Sequence, residues 1–251
     1  MITVRPIGRN DTEEVLRSLF RTDNPSARLR DRGTWMGTGS QLLYLQNPIR
    51  PVPLRNLLQG HTPAGLRTLV PDYDAPSRVL AWQFTFAPPA DLLAGSKAAR
   101  ELTRPNLVAA QAQAVAATLA RFDRQITGYE SAPPWEDVPT AIFAAFRGQG
   151  ALRHQAPVST TVFFINQGYF ADRTVRTYAT TEVVKEAAGL EPFYANSLRE
   201  ALAQQAQRNH SRHLPAPPHA ERSEAPVQLP DQPTPGHPPQ RTQLRDYGHS
   251  Q

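Results

Sequence analysis

The sequence predicts an α+β fold, a largely antiparallel sheet with flanking helices, ahead of a disordered C-terminal tail. Short stretches of alternating apolar residues are interspersed with helical stretches, without the strand–helix–strand rhythm of a parallel sheet. The 251-residue chain is 39% hydrophobic and 20% charged, which suits one domain with a core plus an appendage. The prolines mark the appendage: nine of the 25 lie between Pro215 and Pro239, in a stretch almost without large apolar side chains.

In chain order, Ile2 to Ile7 reads as a short strand. Asp11 then suits a helix cap, with Glu14 three residues on, and Val15, Leu16, Leu19 and Phe20 give that helix one apolar face. A glycine-rich turn, Trp35 to Gly39, precedes Leu42 to Leu45. Residues Val79 to Phe86 alternate, with Leu80, Trp82, Phe84 and Phe86 on one face and Val79, Ala81, Gln83 and Thr85 on the other. Asn106 to Thr127 carries Val108, Val115, Leu119, Phe122 and Ile126 at helical spacing. Thr140 to Phe146, Ser159 to Asn166 and Arg173 to Ala179 read as strands, and Thr181 to Gly189 and Pro192 to Gln205 as helices. The folded domain is placed at 1–206. From residue 207 to 251 the chain cannot bury enough surface to offset its ordering entropy. His210 and His213 have the spacing of a metal pair, but they read as part of a solvated tail.

The absence of cysteine excludes a disulfide framework, a thiolate metal site and a cysteine nucleophile. The net charge is +5, and all but Lys97 and Lys185 of the 27 basic residues are arginine. That balance favours an anionic partner, and arginine suits phosphate in particular. No apolar run reaches the ~20 residues of a membrane span, and the N-terminus lacks a signal-peptide core. The expected location is cytoplasmic, with no membrane partner.

Several stretches, taken together, resemble the N-terminal domain of MobF-class conjugative relaxases of the TrwC type. Trp35-Met36-Gly37-Thr38-Gly39 with Leu42 to Leu45 is similar to that family's W-x-G-x-G segment, and Leu57 to Gly65 to its L-L-x-G-x-x-P-x-G turn. Gln83-Phe84-Thr85-Phe86 matches its D-x-T-F strand. Gln111 to Val115 fits its H-x-x-A-V helix, and Phe193 to Arg199 a late helix. The resemblance covers about residues 1–205 and implies an HUH-like α+β fold. It also implies a chemistry: a tyrosine hydroxyl attacks a DNA phosphodiester, a divalent metal on three histidines polarises the phosphate, and an aspartate supports the site.

This chain departs from that pattern at each chemical position. The tyrosine pair falls at Leu19 and Phe20, the aspartate at Gln83, and the two histidines of the H-x-H strand at Ser159 and Thr161. The third histidine belongs near Gly148 or Gln149, and His154 is the nearest histidine. Nucleophile, base and metal ligands act as a unit, so the resemblance implies a relaxase-like domain associated with mobile DNA that lacks strand-nicking activity. No catalytic residue and no cofactor are assigned. Single-stranded or hairpin DNA is the expected partner, with Trp35, Gly37, Gly39, Gln83 and Thr85 as candidate DNA-binding residues. Two other readings stand beside this one. An active relaxase would use a displaced tyrosine such as Tyr44 and a divalent metal on other ligands. A non-catalytic scaffold would recruit a protein partner through the proline-rich tail.

Overall fold

The computed structural model describes residues 1–20, 33–70, 73–90, 92, 103–128, 139–148, 158–170 and 174–213. These fall within one unit, Met1–His213. The arginines at 21, 28, 30 and 32, His154, Gln149 and the proline-rich segment from 214 lie outside the described residues.

Alternation in the sequence becomes a five-stranded antiparallel sheet. Its strands are β1 (Ile2–Ile7), β2 (Thr34–Met36), β3 (Ala81–Phe86), β4 (Phe143–Gly148) and β5 (Ser159–Ile165), in the order β1-β3-β5-β4-β2. Two-residue strands β6 (Gly168–Tyr169) and β7 (Val175–Arg176) pair separately. Against expectation, β4 starts at Phe143 rather than Thr140, and the strand drawn over Arg173 to Ala179 shrinks to β7. Tyr178, just beyond β7, turns inward as a core side chain with its backbone N–H on Asn166 Oδ1 at 3.2 Å.

Each sheet face builds its own core. Trp82, Phe84 and Phe86 of β3 join Val162 and Phe164 of β5 and Phe143 of β4 on the first face. Two long helices cover it. Helix α4 (Arg104–Thr127) contributes Ala114, Leu119 and Phe122, and α6 (Leu190–His213) contributes Tyr194, Leu198 and Leu202. Phe122 sits edge-on to Phe84 and Phe164 at 5.2 and 5.3 Å between centroids. Helix α5 (Thr180–Ala188) closes one side through Val183. A left-handed glycine, Gly128 (φ 74), caps the end of α4.

The second face carries Ile7, Ala81, Phe163, Ile165, Ala144 and Phe146. Helix α1 (Arg9–Phe20) lays Val15 and Leu16 on it, and α3 (Pro51–Leu58) adds Leu54, Leu57 and Leu58. Helix α1 begins two residues before the predicted cap. Gly8 N–H donates to Asp11 Oδ2 at 2.9 Å and the Thr12 hydroxyl to Gly8 carbonyl at 3.2 Å, so Asp11 reaches back from the third helical position. At the other end, α6 runs to His213 and places the compositional break at 208 inside a helix. Its early proline, Pro192, falls in the first turn, where no intrahelical donor is lost.

Candidate functional site

The β-ladder brings together residues far apart in sequence. On the second face, β1 and β3 pair Thr3 with Thr85 and Arg5 with Gln83. Strands β3 and β5 pair Thr85 with Thr161 and Gln83 with Phe163, and Thr161 faces Phe146 on β4. Two rows result: Thr3–Thr85–Thr161–Phe146 and Arg5–Gln83–Phe163–Ala144. Where α1 covers the face, at Ile7, the side chains are apolar and buried; beyond it Thr3 and Arg5 are exposed and Gln83, Thr85, Ser159 and Thr161 half-buried.

Five of the positions that the resemblance marks for chemistry, Leu19, Phe20, Gln83, Ser159 and Thr161, lie on this face. Leu19 and Phe20, at the end of α1, pack on the second-face core. The Phe20 ring lies edge-on to Phe146 at 6.0 Å, and Phe146 is the cross-strand neighbour of Thr161. Phe146 in turn meets Phe163 at 6.1 Å. The position that the resemblance gives to the attacking hydroxyl is thus an aromatic packing contact, next to one that it gives to a metal ligand. Gln83 Oε1 accepts from Arg5 Nε at 3.0 Å, and Gln83 Nε2 approaches Thr85 Oγ1 at 3.5 Å.

This donor set does not fit a divalent metal. Ser159, Thr161 and Thr85 offer neutral hydroxyls and Gln83 an amide, whereas imidazole and carboxylate are the groups that hold such ions. Among the described residues no three His, Asp or Glu side chains gather closely enough to hold one.

The glycine-rich turn packs closely, and its tryptophan is not placed for the base stacking expected of it. Trp35 is only 5% exposed and belongs to the second-face core with Ile7 and Leu16, so its ring is not free to stack on a base. Gly37 adopts φ 85, ψ 155, and a Cβ there would stand 2.4 Å from the Ala141 carbonyl oxygen. Gly39 N–H donates to the same oxygen at 3.0 Å, and its own Cβ would meet Ile142 Cγ1 at 2.7 Å. Both glycines let the turn and helix α2 (Thr38–Leu42) lie directly on the backbone just ahead of β4.

Beside this turn, Met36, Gly37, Thr38, Ser40, Leu119 and Asp123 line a cavity of about 280 Å³. Burial pushes the Asp123 carboxyl up to about 6, despite hydrogen bonds from the backbone N–H groups of Ala141 and Thr38 and the nearby Arg124 charge. Neither Asp123 nor Arg5 stood out in the sequence. Thr3 and Arg5 do alternate against Ile2 and Val4, but only the strand register shows what they face.

Four of the five described tyrosines divide by exposure, and Tyr73 is half-buried. Tyr169, Tyr178 and Tyr194 are core residues whose hydroxyls burial holds well above their ordinary value. Tyr44 is 88% exposed with φ 52. It follows α2, which packs on β2 at the edge of the sheet opposite β1, and on β6.

This antiparallel sheet with two helical covers is shared with solved relaxase structures. The conjugative relaxase TrwC in complex with oriT DNA, in metal-free form, matches with a TM-score of 0.57 at 19% identity over 83% of this chain and 70% of that one. Its metal-bound form matches with 0.57 at 18% identity over the same shares, and TrwC complexed with a 27-mer comprising the recognition hairpin and the cleavage site with 0.55 at 19% over 83% and 69%. The chain belongs to the TrwC relaxase family, whose sequence model matches residues 21–222. No curated protein matches it. No helix among the described residues is long and apolar enough to cross a membrane.

Proposed function

We propose that this protein is a DNA-binding member of the TrwC relaxase family that does not nick its DNA. The observation that carries the proposal is the Phe20–Phe146 contact beside Thr161. Covalent strand cleavage needs an ionisable nucleophile held against a polarised phosphate, and here an apolar ring fills the place of the first while hydroxyls replace imidazoles at the second. The adjacent half of the face stays polar and open. The partner is single-stranded or hairpin DNA, consistent with the oriT complexes of TrwC and with the arginine-rich positive balance of the chain. No metal takes part.

Incubating the full chain with hairpin oligonucleotides and Mg²⁺ or Mn²⁺, then resolving the products under denaturing conditions, tests the second half of the proposal. The expected result is intact DNA and no covalent adduct, for the wild type and equally for Leu19→Tyr and Phe20→Tyr. An adduct from the wild type, especially one lost in Tyr44→Phe, would replace this reading with an active relaxase.

A further inference from the structure

The rows of the second face contain one feature that neither family membership nor the lost chemistry explains, the pairing of an exposed arginine with a glutamine. Arg5 Nε donates to Gln83 Oε1 at 3.0 Å. This bond uses the Nε–H and leaves the two terminal nitrogens without a hydrogen-bond partner among the described residues. Among the described residues no carboxylate pairs with Arg5; the ion pairs are Met1–Glu191, Arg55–Glu13, Arg176–Glu182 and Lys185–Glu186. Its charge is therefore oriented but not neutralised. Around it Thr3, Thr85 and Thr161 line one row, with Ser159 two residues along the same strand, all exposed or half-buried.

We infer that Arg5, oriented by Gln83, is the phosphate-binding cation of this face, gripping a phosphodiester of the bound strand without a metal ion. The chemistry follows from the side chains. A guanidinium presents its terminal N–H groups as a fork that matches two oxygens of a phosphate, and the threonine hydroxyls supply neutral donors to neighbouring phosphate or sugar oxygens. The residue at 83 decides whether this works. A carboxylate there would pair with Arg5 and cancel the charge, whereas the glutamine amide holds the same nitrogen and stays neutral. Replacement of the family's aspartate by Gln83 thus removes a carboxylate from the site and, in the same step, releases a cation for anion binding. This inference rests on the DNA-binding reading above and assigns the residue and the charge that carry it.

The test uses the full chain and a fluorescently labelled single-stranded oligonucleotide, with anisotropy read at several salt concentrations, with EDTA and with Mg²⁺. Arg5→Gln should weaken binding about tenfold and flatten the salt dependence by about 0.7 in log–log slope, one phosphate contact on a single strand. Gln83→Glu should weaken it by a similar factor through the new Arg5 pair. Arg199→Gln removes the same charge from α6, on the opposite side of the sheet, and should stay within about twofold of wild type. EDTA should change nothing. Wild-type binding that Arg5→Gln leaves intact would overturn the inference while sparing the DNA-binding reading, as would a gain of affinity in Gln83→Glu or loss of binding in EDTA. No wild-type binding at low salt would overturn both. Arg5 is exposed on an edge strand, so the variant should fold, which its circular dichroism spectrum would check.

Discussion

Phe20 differs from tyrosine by one oxygen, and its ring is already spent on packing against Phe146. On the proposal made above, Phe20→Tyr alone supplies a hydroxyl with no polarised phosphate to attack, because Gln83, Ser159 and Thr161 remain neutral. Asp123 shows the opposite situation, an ionisable group retained where it costs stability. Its folded-state value of about 6 lies above the ordinary 3.8, chiefly through burial. The folded protein thus holds this proton more tightly than the unfolded chain does. The group costs nothing below the unfolded value, its penalty grows as pH rises from there, and the penalty is complete above about pH 6. After allowance for its remaining contact with solvent the penalty is on the order of 2 kcal/mol. Asp123→Asn should accordingly gain in melting temperature relative to wild type between pH 4.5 and 7.5, by several degrees. Parallel pH profiles of the two proteins would show that the carboxyl titrates normally.

At the level of elements, the glycine-rich turn between β2 and α2 is a docking device. Gly37 occupies a backbone region that only glycine populates readily, and its α-carbon faces the Ala141 carbonyl too closely for any side chain. Gly37→Ala should cost about 3 kcal/mol and lower the melting temperature by roughly 6 to 12 °C for a chain of this size. An unchanged melting temperature would show that the turn can leave the strand at little cost. The same turn illustrates where sequence reading succeeds and fails. Its motif marked a relationship to the family correctly, and Trp35 was as credible a stacking platform as a core residue, because a ring in a glycine-rich turn carries no periodicity. Helix α3 escaped notice because Pro51 and Pro53 look like breakers, although in a first turn they are well placed. Strand β2 is only three residues long and has no alternation to read.

For the molecule as a whole, the strands with strict alternation and the long α4 were legible, and so was the antiparallel character of the sheet. Trp82, Phe84 and Phe86 face the first core as the period of two requires. The five positions that the resemblance marks are scattered in sequence, and what faces them depends on long-range strand pairing, over 78 residues for Gln83 and Arg5. That is why Arg5 was invisible until the register was known. The extent of α6 was misjudged because composition changes at 208 while the backbone continues as helix to His213. The central proposal is that the fold has kept a DNA-binding face after exchanging its cutting chemistry for packing contacts and an unneutralised guanidinium. The most direct measurement is the anisotropy of labelled single-stranded and hairpin oligonucleotides titrated with the full chain across a salt series. The account predicts binding that weakens steeply and linearly in log–log form as salt rises, the signature of phosphate contacts; no binding at low salt, or binding indifferent to salt, would contradict it.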